Sequence, residues 1–214
     1  MPTVTPVIPE TITVHLGAPG ESARNVTLPF WSYIANVASS EIYPSWPENA
    51  LRANIYAQIS FALNRVYTEY YRSRGYDFDI TNSTAYDQYF VEGRDIFSNV
   101  NEIVGEIFNS YVVRQGSVEP LFTQYCNGTT VTCPGLSQWG TVALAERGLT
   151  PYEILQYYYG NDIDIVTNVP VENVRASAPV IPLRLGSGGN DVRNVQIRLN
   201  RISRNYPAIP KIVL

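Results

Sequence analysis

The clearest periodic pattern in the chain predicts a helix from about residue 30 to 42. Ile34, Val37 and Ala38 recur at spacings of three and four residues, which is typical of one helical face. Glu41 takes the next position on this apolar stripe. A carboxylate on such a face is uncommon unless it is paired or has a function, so Glu41 needs an explanation.

A second, longer helix is predicted to follow the proline-containing stretch SWPE. Ser45 and Glu48 have the spacing of a capping box, with Pro47 placed in the first turn. Apolar residues then recur from Leu51 onward every three or four positions, so this helix is expected to pack against the core. We expect it to end near Gly75.

Shorter patterns complete the expected fold. Alternation predicts strands over 11–16 and 162–166, a strand and polar loop over 76–90, and a short strand over 120–126. Helical patterns cover 96–111, 137–148 and 151–160. This mixture indicates an α+β fold, and we expect a helical half that carries Glu41, a smaller β-rich half, and a groove between them.

The patterns also predict two units joined by a linker. Residues 9–166 hold the main domain, and 167–182 are rich in Val, Pro, Ser and Asn, as linkers often are. Residues 183–214 contain one amphipathic helix, which cannot bury its apolar face alone. We therefore interpret 183–214 as the start of an incomplete second domain.

Composition and charge narrow the classes of function. The chain has 214 residues, 45% hydrophobic and 16% charged, which is enough for a sizeable core. A net charge of −4 argues against a nucleic-acid partner, and no apolar run has the length of a membrane span. The first residues lack the basic and apolar regions of a signal peptide, so either export uses another route or the chain is a piece of a longer one.

The two cysteines allow three interpretations. Cys126 and Cys133 lie on either side of an Asn-Gly turn, so a disulfide across a tight loop is favoured over two free thiols. A zinc site would need two further ligands, and the only histidine, His15, is distant in sequence. We expect no cofactor, with zinc as the least favoured alternative.

The environment predicted for Glu41 points to acid chemistry. Burial against apolar neighbours disfavours the ionised form and raises the pKa of a carboxyl group. A carboxyl that is protonated near neutral pH can donate its proton to a poor leaving group such as a glycosidic oxygen. Tyr43 and Trp46 follow closely and are expected to supply an apolar wall. The alternative is a structural glutamate that bonds a buried amide.

Two separated stretches of the chain form a pattern, the first VASSEIYPSWPENALRANIYAQISFAL and the second CPGLSQWGTVALAERGLTPYEILQYYYG. Together they resemble the SpoIID/LytB family, named after stage II sporulation protein D. Their order and separation agree with the family pattern, and the resemblance covers about residues 30–166. It implies lytic cleavage of peptidoglycan glycan strands in the cell wall or spore cortex, outside the cytoplasm, with Glu41 as the catalytic residue. The alternative within the family is a glycan-binding or amidase-enhancing module.

The resemblance also implies substrate contacts and leaves one metal in doubt. Ser137, Gln138 and Trp139 are expected to bond and stack on sugar rings, with a helix-start role as the alternative for them. The other implied substrate-contact residues are Ser40, Tyr86, Asp87 and Tyr125. Thr132 and Cys133 stand where many members have a histidine, which puts the zinc ion of some members in doubt. Residues 183–214 resemble the first helix of a peptidoglycan-binding domain.

Overall fold

The computed structural model describes residues 5–172, 183–189, 192, 193, 195–197, 199, 200 and 210–212. The expected α+β fold is confirmed. The α-helices are α1 (Phe30–Glu41), α2 (Glu48–Tyr67), α3 (Ser98–Ile107), α4 (Gln138–Glu146) and α5 (Pro151–Tyr159), with a 3-10 turn at Arg72–Arg74. The strands are β1 (Thr11–His15), β2 (Asn25–Pro29), β3 (Ile80–Thr81), β4 (Tyr111–Arg114), β5 (Tyr125–Cys126), β6 (Leu136–Ser137) and β7 (Ile163–Val166).

The strands form three small sheets. In the first, with order β2-β1-β3, β1 pairs antiparallel with β2 and parallel with β3, so that Val14 lies opposite both Val26 and Ile80. β4 and β7 pair antiparallel, and the short strands β5 and β6 pair parallel. The β5–β6 pair matters for the site, because it places Tyr125 beside the residues that open α4.

Helix α2 lies at the centre of the molecule and separates two hydrophobic clusters. One cluster joins it to α1, α3 and β1, and includes Ile34, Ile55 and Ile59. The other joins its Ala53 and Ala57 face to α4, α5 and β4. Small side chains on this second face let the neighbouring helices approach closely, and packing on both sides makes α2 the frame of the site.

The boundaries of α2 correct two predictions. The helix begins at Glu48 with Pro47 as its N-cap, and no side chain caps it, so Ser45 does not form the expected capping box. It ends at Tyr67 rather than near Gly75. The Thr68 hydroxyl donates to the Asn64 carbonyl at 2.7 Å, and the helix ends there.

Other differences concern short strands. Tyr111 was expected to end a helix but begins β4, because α3 stops at Ile107. The segment 120–126 forms only the two-residue strand β5, and β2 was not predicted at all. The strands 11–16 and 162–166 and the helices 137–148 and 151–160 are confirmed with ends shifted by one or two residues.

The far end of the chain is only partly described. Residues 173–182 of the expected linker lie outside the described residues, and the described positions between 192 and 200 are helical. There the Arg193 guanidinium lies 3.5 Å from the centroid of the Trp31 ring and donates to Asn101 at 2.9 Å. The division into two domains and the groove both stay predictions. None of the helices in the described ranges combines the length and apolar character needed to cross a bilayer.

Candidate active site around Glu41

Glu41 is the last residue of α1 and lies at the edge of the core. Ile34, Val37 and Ala38 are fully buried, which confirms the apolar stripe. Glu41 itself is half-buried. Helix α1 ends directly after it because Ile42 adopts an extended backbone, two residues before Pro44. The carboxyl is thus held on a rigid helix end, neither sealed in the interior nor free in solvent.

Several hydrogen-bond donors from different parts of the chain converge on this carboxyl. The backbone N–H of Tyr89 donates to Oε1 at 2.8 Å. The side-chain amide of Gln58, on α2, donates to Oε2 at 2.8 Å, and that of Gln138, on α4, at 3.4 Å. The hydroxyl of Tyr125, on β5, also faces the carboxyl and lowers its pKa. Every nitrogen in this set is a donor, so the arrangement suits a negative charge.

Two opposing effects set the proton affinity of Glu41. Burial raises its pKa from 4.5 to about 7, while the bonds from Tyr89, Tyr125, Gln58 and Gln138 lower it. Within the described residues Glu41 forms no ion pair. At neutral pH the protonated and ionised forms are therefore both populated, which is the condition for a group that must act as acid and then as base.

Beneath Glu41 lies a buried hydrogen-bonded network. The Gln88 amide nitrogen donates to the Tyr125 hydroxyl oxygen at 3.0 Å and to the Gln58 carbonyl at 3.1 Å. The Tyr33 hydroxyl donates to the Gln88 amide oxygen at 3.0 Å. Gln88 has no exposed surface. The network connects three elements under the carboxyl and fixes Tyr125 in place.

An exposed aromatic surface follows Glu41 in sequence and adjoins Gln138. The Trp139 ring lies 4.8 Å from the Trp46 ring and 5.7 Å from the Tyr43 ring, between centroids. Trp139 and Tyr43 are 44% and 57% exposed, whereas Trp46 is buried beneath them. Aromatic faces left open to solvent beside a carboxyl group suit stacking against a sugar ring.

Ser137 and Ser40, two further expected substrate-contact residues, have local partners. The Ser137 hydroxyl accepts a hydrogen bond from the Gly140 N–H at 3.0 Å and is the N-cap of α4. The Ser40 hydroxyl donates to the Asn36 side-chain oxygen at 3.5 Å. The contact of Gln138 with Glu41 distinguishes it from these two serines.

Asp87 and Tyr86 are placed differently from each other. The Asp87 side chain has no exposed surface and pairs with Arg65 at 2.8 Å. It also accepts hydrogen bonds from the hydroxyls of Tyr71 and Thr81. With its oxygens used in this way, Asp87 has a structural role in this conformation, not the expected place on a binding surface. Tyr86 is 52% exposed and its ring is open to solvent.

Cys126 and Cys133 form a disulfide, the interpretation favoured from the sequence. Both sulfurs are therefore used, and His15 bonds Asn25 and the Glu21 carbonyl from within β1. These residues do not fit a zinc site, and the described part of the chain holds no cluster of three metal-binding side chains. The disulfide instead closes the loop between β5 and β6, beside Tyr125.

Sequence reasoning missed three contributors to the site. Gln58 and Gln88 are fully buried amides, and an amide on the apolar face of α2 was the signal that could have identified Gln58. Gln88 lies in an irregular segment whose partners are remote in sequence. Tyr89 acts through its backbone, which leaves no trace in the side-chain pattern.

Comparison with known proteins gives one family match. A search of curated proteins found none that matches this chain. Residues 20–107 match the family described as "SpoIID: Stage II sporulation protein", and this range includes α1, α2 and α3. The donors Tyr125 and Gln138 and the ring of Trp139 lie beyond it. The segment that carries Glu41 is therefore similar to the SpoIID family.

Proposed function

We propose that this protein is a peptidoglycan lytic transglycosylase, which cleaves the bond between N-acetylmuramic acid and N-acetylglucosamine and leaves anhydro-muramic ends. The SpoIID family is associated with sporulation and cell-wall peptidoglycan degradation. The observation that carries the proposal is the half-buried Glu41 carboxyl, whose pKa burial raises to about 7 while several donors face it.

In the first step, protonated Glu41 gives its proton to the glycosidic oxygen. The three nitrogens that contact the carboxyl are donors, so none of them can accept this proton. An oxygen of the substrate supplies the missing acceptor. The bond between the muramic C1 and that oxygen breaks, the N-acetylglucosamine residue leaves as an alcohol, and an oxocarbenium-like centre forms. The same donors stabilise the carboxylate that remains.

In the second step, the Glu41 carboxylate removes the proton from the 6-hydroxyl of the same muramic acid. Its oxygen bonds C1 and closes the anhydro ring, and Glu41 is protonated again. No water is consumed, so one carboxylate serves both steps, whereas glycoside hydrolases normally use a pair. The buried pairing of Asp87 with Arg65 removes that carboxylate from such a role.

The substrate class follows from the aromatic surface and from sequence resemblance. We propose that the exposed rings of Tyr43 and Trp139 stack on sugars next to the cleaved bond. We propose spore cortex as the preferred substrate, because the sequence resembles that of the clostridial spore cortex-lytic enzyme SleC. Residues 183–214 would then begin a domain that holds the enzyme on peptidoglycan.

Mass spectrometry of digested glycan strands tests the proposal. Purified protein is incubated with cortex and with vegetative sacculi, beside Glu41→Gln and the matched surface variant Glu146→Gln, whose residue is exposed at the end of α4. We expect anhydro-muramic products from the native protein and Glu146→Gln, and none from Glu41→Gln. Unchanged strands in every sample would overturn the proposal.

A glycan-binding module is the second candidate, because an exposed aromatic surface is sufficient for binding. Co-sedimentation with insoluble peptidoglycan distinguishes the two functions. Binding by both the native protein and Glu41→Gln, without new ends in either, would favour the module.

A further inference from the structure

The buried amide of Gln88 has only one orientation that satisfies its neighbours. The Gln58 carbonyl can only accept a hydrogen bond, so the atom that faces it at 3.1 Å must be the amide nitrogen. The amide oxygen then faces Tyr33, whose hydroxyl donates to it at 3.0 Å. Both ends of this side chain are therefore fixed by the protein.

This orientation determines what the Tyr125 hydroxyl can do. The second N–H of the Gln88 amide donates to the Tyr125 oxygen at 3.0 Å and occupies an acceptor position there. The hydroxyl proton of Tyr125 must point elsewhere, and the Glu41 carboxyl is the acidic group that interacts with this hydroxyl. Gln88 thus makes Tyr125 a donor toward Glu41, although Gln88 itself is not among the groups that bond the carboxyl.

We infer that Gln88 is a positioning residue, which aims the Tyr125 hydroxyl at Glu41 and so stabilises the carboxylate that the site must form. Its role in glycan cleavage rests on the proposed function. Its effect on the proton affinity of Glu41 does not, because that affinity is measurable without any substrate.

The other charged and titratable groups near Glu41 do not provide this control. Burial raises the pKa values of Tyr33 and Tyr125 well above the ordinary value for tyrosine, so both stay protonated at neutral pH. Asp87, which acts electrostatically on Tyr33, is neutralised by its ion pair with Arg65. Glu41 is the member of this group that titrates near neutral pH.

A double-mutant cycle tests the inference. The pKa of Glu41 is measured by carboxyl carbon-13 NMR in the whole protein, in Gln88→Met, in Tyr125→Phe and in the double variant. Tyr125→Phe removes the donor and Gln88→Met removes the bond that orients it, so we expect the pKa of Glu41 to rise by about one unit in each. In the Tyr125→Phe background, Gln88→Met should add nothing, because Gln88 acts through that hydroxyl.

Controls make each outcome decisive. Tyr152→Phe also removes a tyrosine hydroxyl, one that donates to the Ile163 carbonyl, and should leave the pKa of Glu41 unchanged. An unchanged pKa in Gln88→Met, or equal shifts with and without Tyr125, would overturn the inference. If Gln88→Met does not fold, Tyr33→Phe releases the other end of the amide and should give a smaller rise that also needs Tyr125.

The NMR result and the digestion result fail independently. A pKa shift with no anhydro-muramic products would reject the proposed function and keep the positioning role of Gln88. Products without a pKa shift would reject the positioning role alone. If the proposed function and the positioning role both hold, the pH above which cleavage declines should rise in Gln88→Met by as much as the pKa of Glu41 does.

Discussion

Replacing Glu41 by glutamine should change how the stability of the protein depends on pH. The native carboxyl has a pKa of about 7, against 4.5 for an unperturbed glutamate. Between these values the folded state holds a proton that the unfolded state has lost. Stability must therefore fall as pH rises from about 4.5 to 7, since the ionised group is penalised only in the folded protein. A glutamine at this position carries no such penalty.

The magnitude follows from the size of the shift. Each pKa unit corresponds to about 1.4 kcal/mol, so the move from 4.5 to about 7 corresponds to about 3 kcal/mol. Below pH 4.5 both proteins are neutral at this position, and the difference between their free energies of unfolding reflects only how well a glutamine fits. The free energy of unfolding of Glu41→Gln minus that of the native protein should therefore be about 3 kcal/mol larger above pH 7 than below pH 4.5.

Urea unfolding curves at pH 4, 5.5, 7 and 8 measure this difference. The free energies of unfolding of the native protein and Glu41→Gln are subtracted at each pH, which removes the contributions of all groups they share. Glu146→Gln serves as the surface control. A difference that does not change with pH would refute the reasoning, because it would mean that burial does not perturb Glu41.

Three further changes probe the surroundings of the site. Trp139→Ala should weaken binding to purified glycan strands by about tenfold, as expected for one lost stacking contact, and calorimetric titration measures this; unchanged affinity would contradict it. Replacing Cys126 and Cys133 by serine should lower the free energy of unfolding by about 2–3 kcal/mol, because the open loop gains entropy in the unfolded chain. If the native protein and the double serine variant unfolded at the same urea concentration, that result would argue against the crosslink. Arg65→Met should cost about 3–5 kcal/mol, because Asp87 is left as a buried, unpaired charge, and a loss below 1 kcal/mol in thermal unfolding would exclude this.

The parts of the fold that were predicted correctly depend on local patterns. Helix α1 was located from its apolar stripe, and α5 from the proline and glycine at its ends. The failures occur where local signals compete with tertiary contacts. Ser45 has the spacing of a capping residue, yet the helix begins three residues later, at Glu48, with Pro47 as its N-cap. Strand β2 alternates polar and apolar residues only from Asn25 to Leu28 before Pro29, a stretch too short to identify without its pairing to β1.

In the site, too, local patterns predicted some residues, and tertiary contacts determined the others. The stripe on α1 identified Glu41, because a single carboxylate among apolar neighbours is conspicuous in the sequence. The groups that surround it come from segments 17 to 97 residues away, and which of them meet depends on how α2, α4 and β5 pack. Gln88 carries no signal beyond its residue type, and the side chain of Asp87, its neighbour, was expected at a surface that it does not reach.

The fate of solvent oxygen tests the central claim most directly. Glycan strands are digested in water enriched in oxygen-18, and the new muramic ends are weighed by mass spectrometry. If Glu41 acts alone as acid and base, the ends are anhydro-muramic and contain no oxygen-18, and they disappear in Glu41→Gln. Muramic ends that carry one oxygen-18 atom, or anhydro ends that persist in Glu41→Gln, would contradict the account.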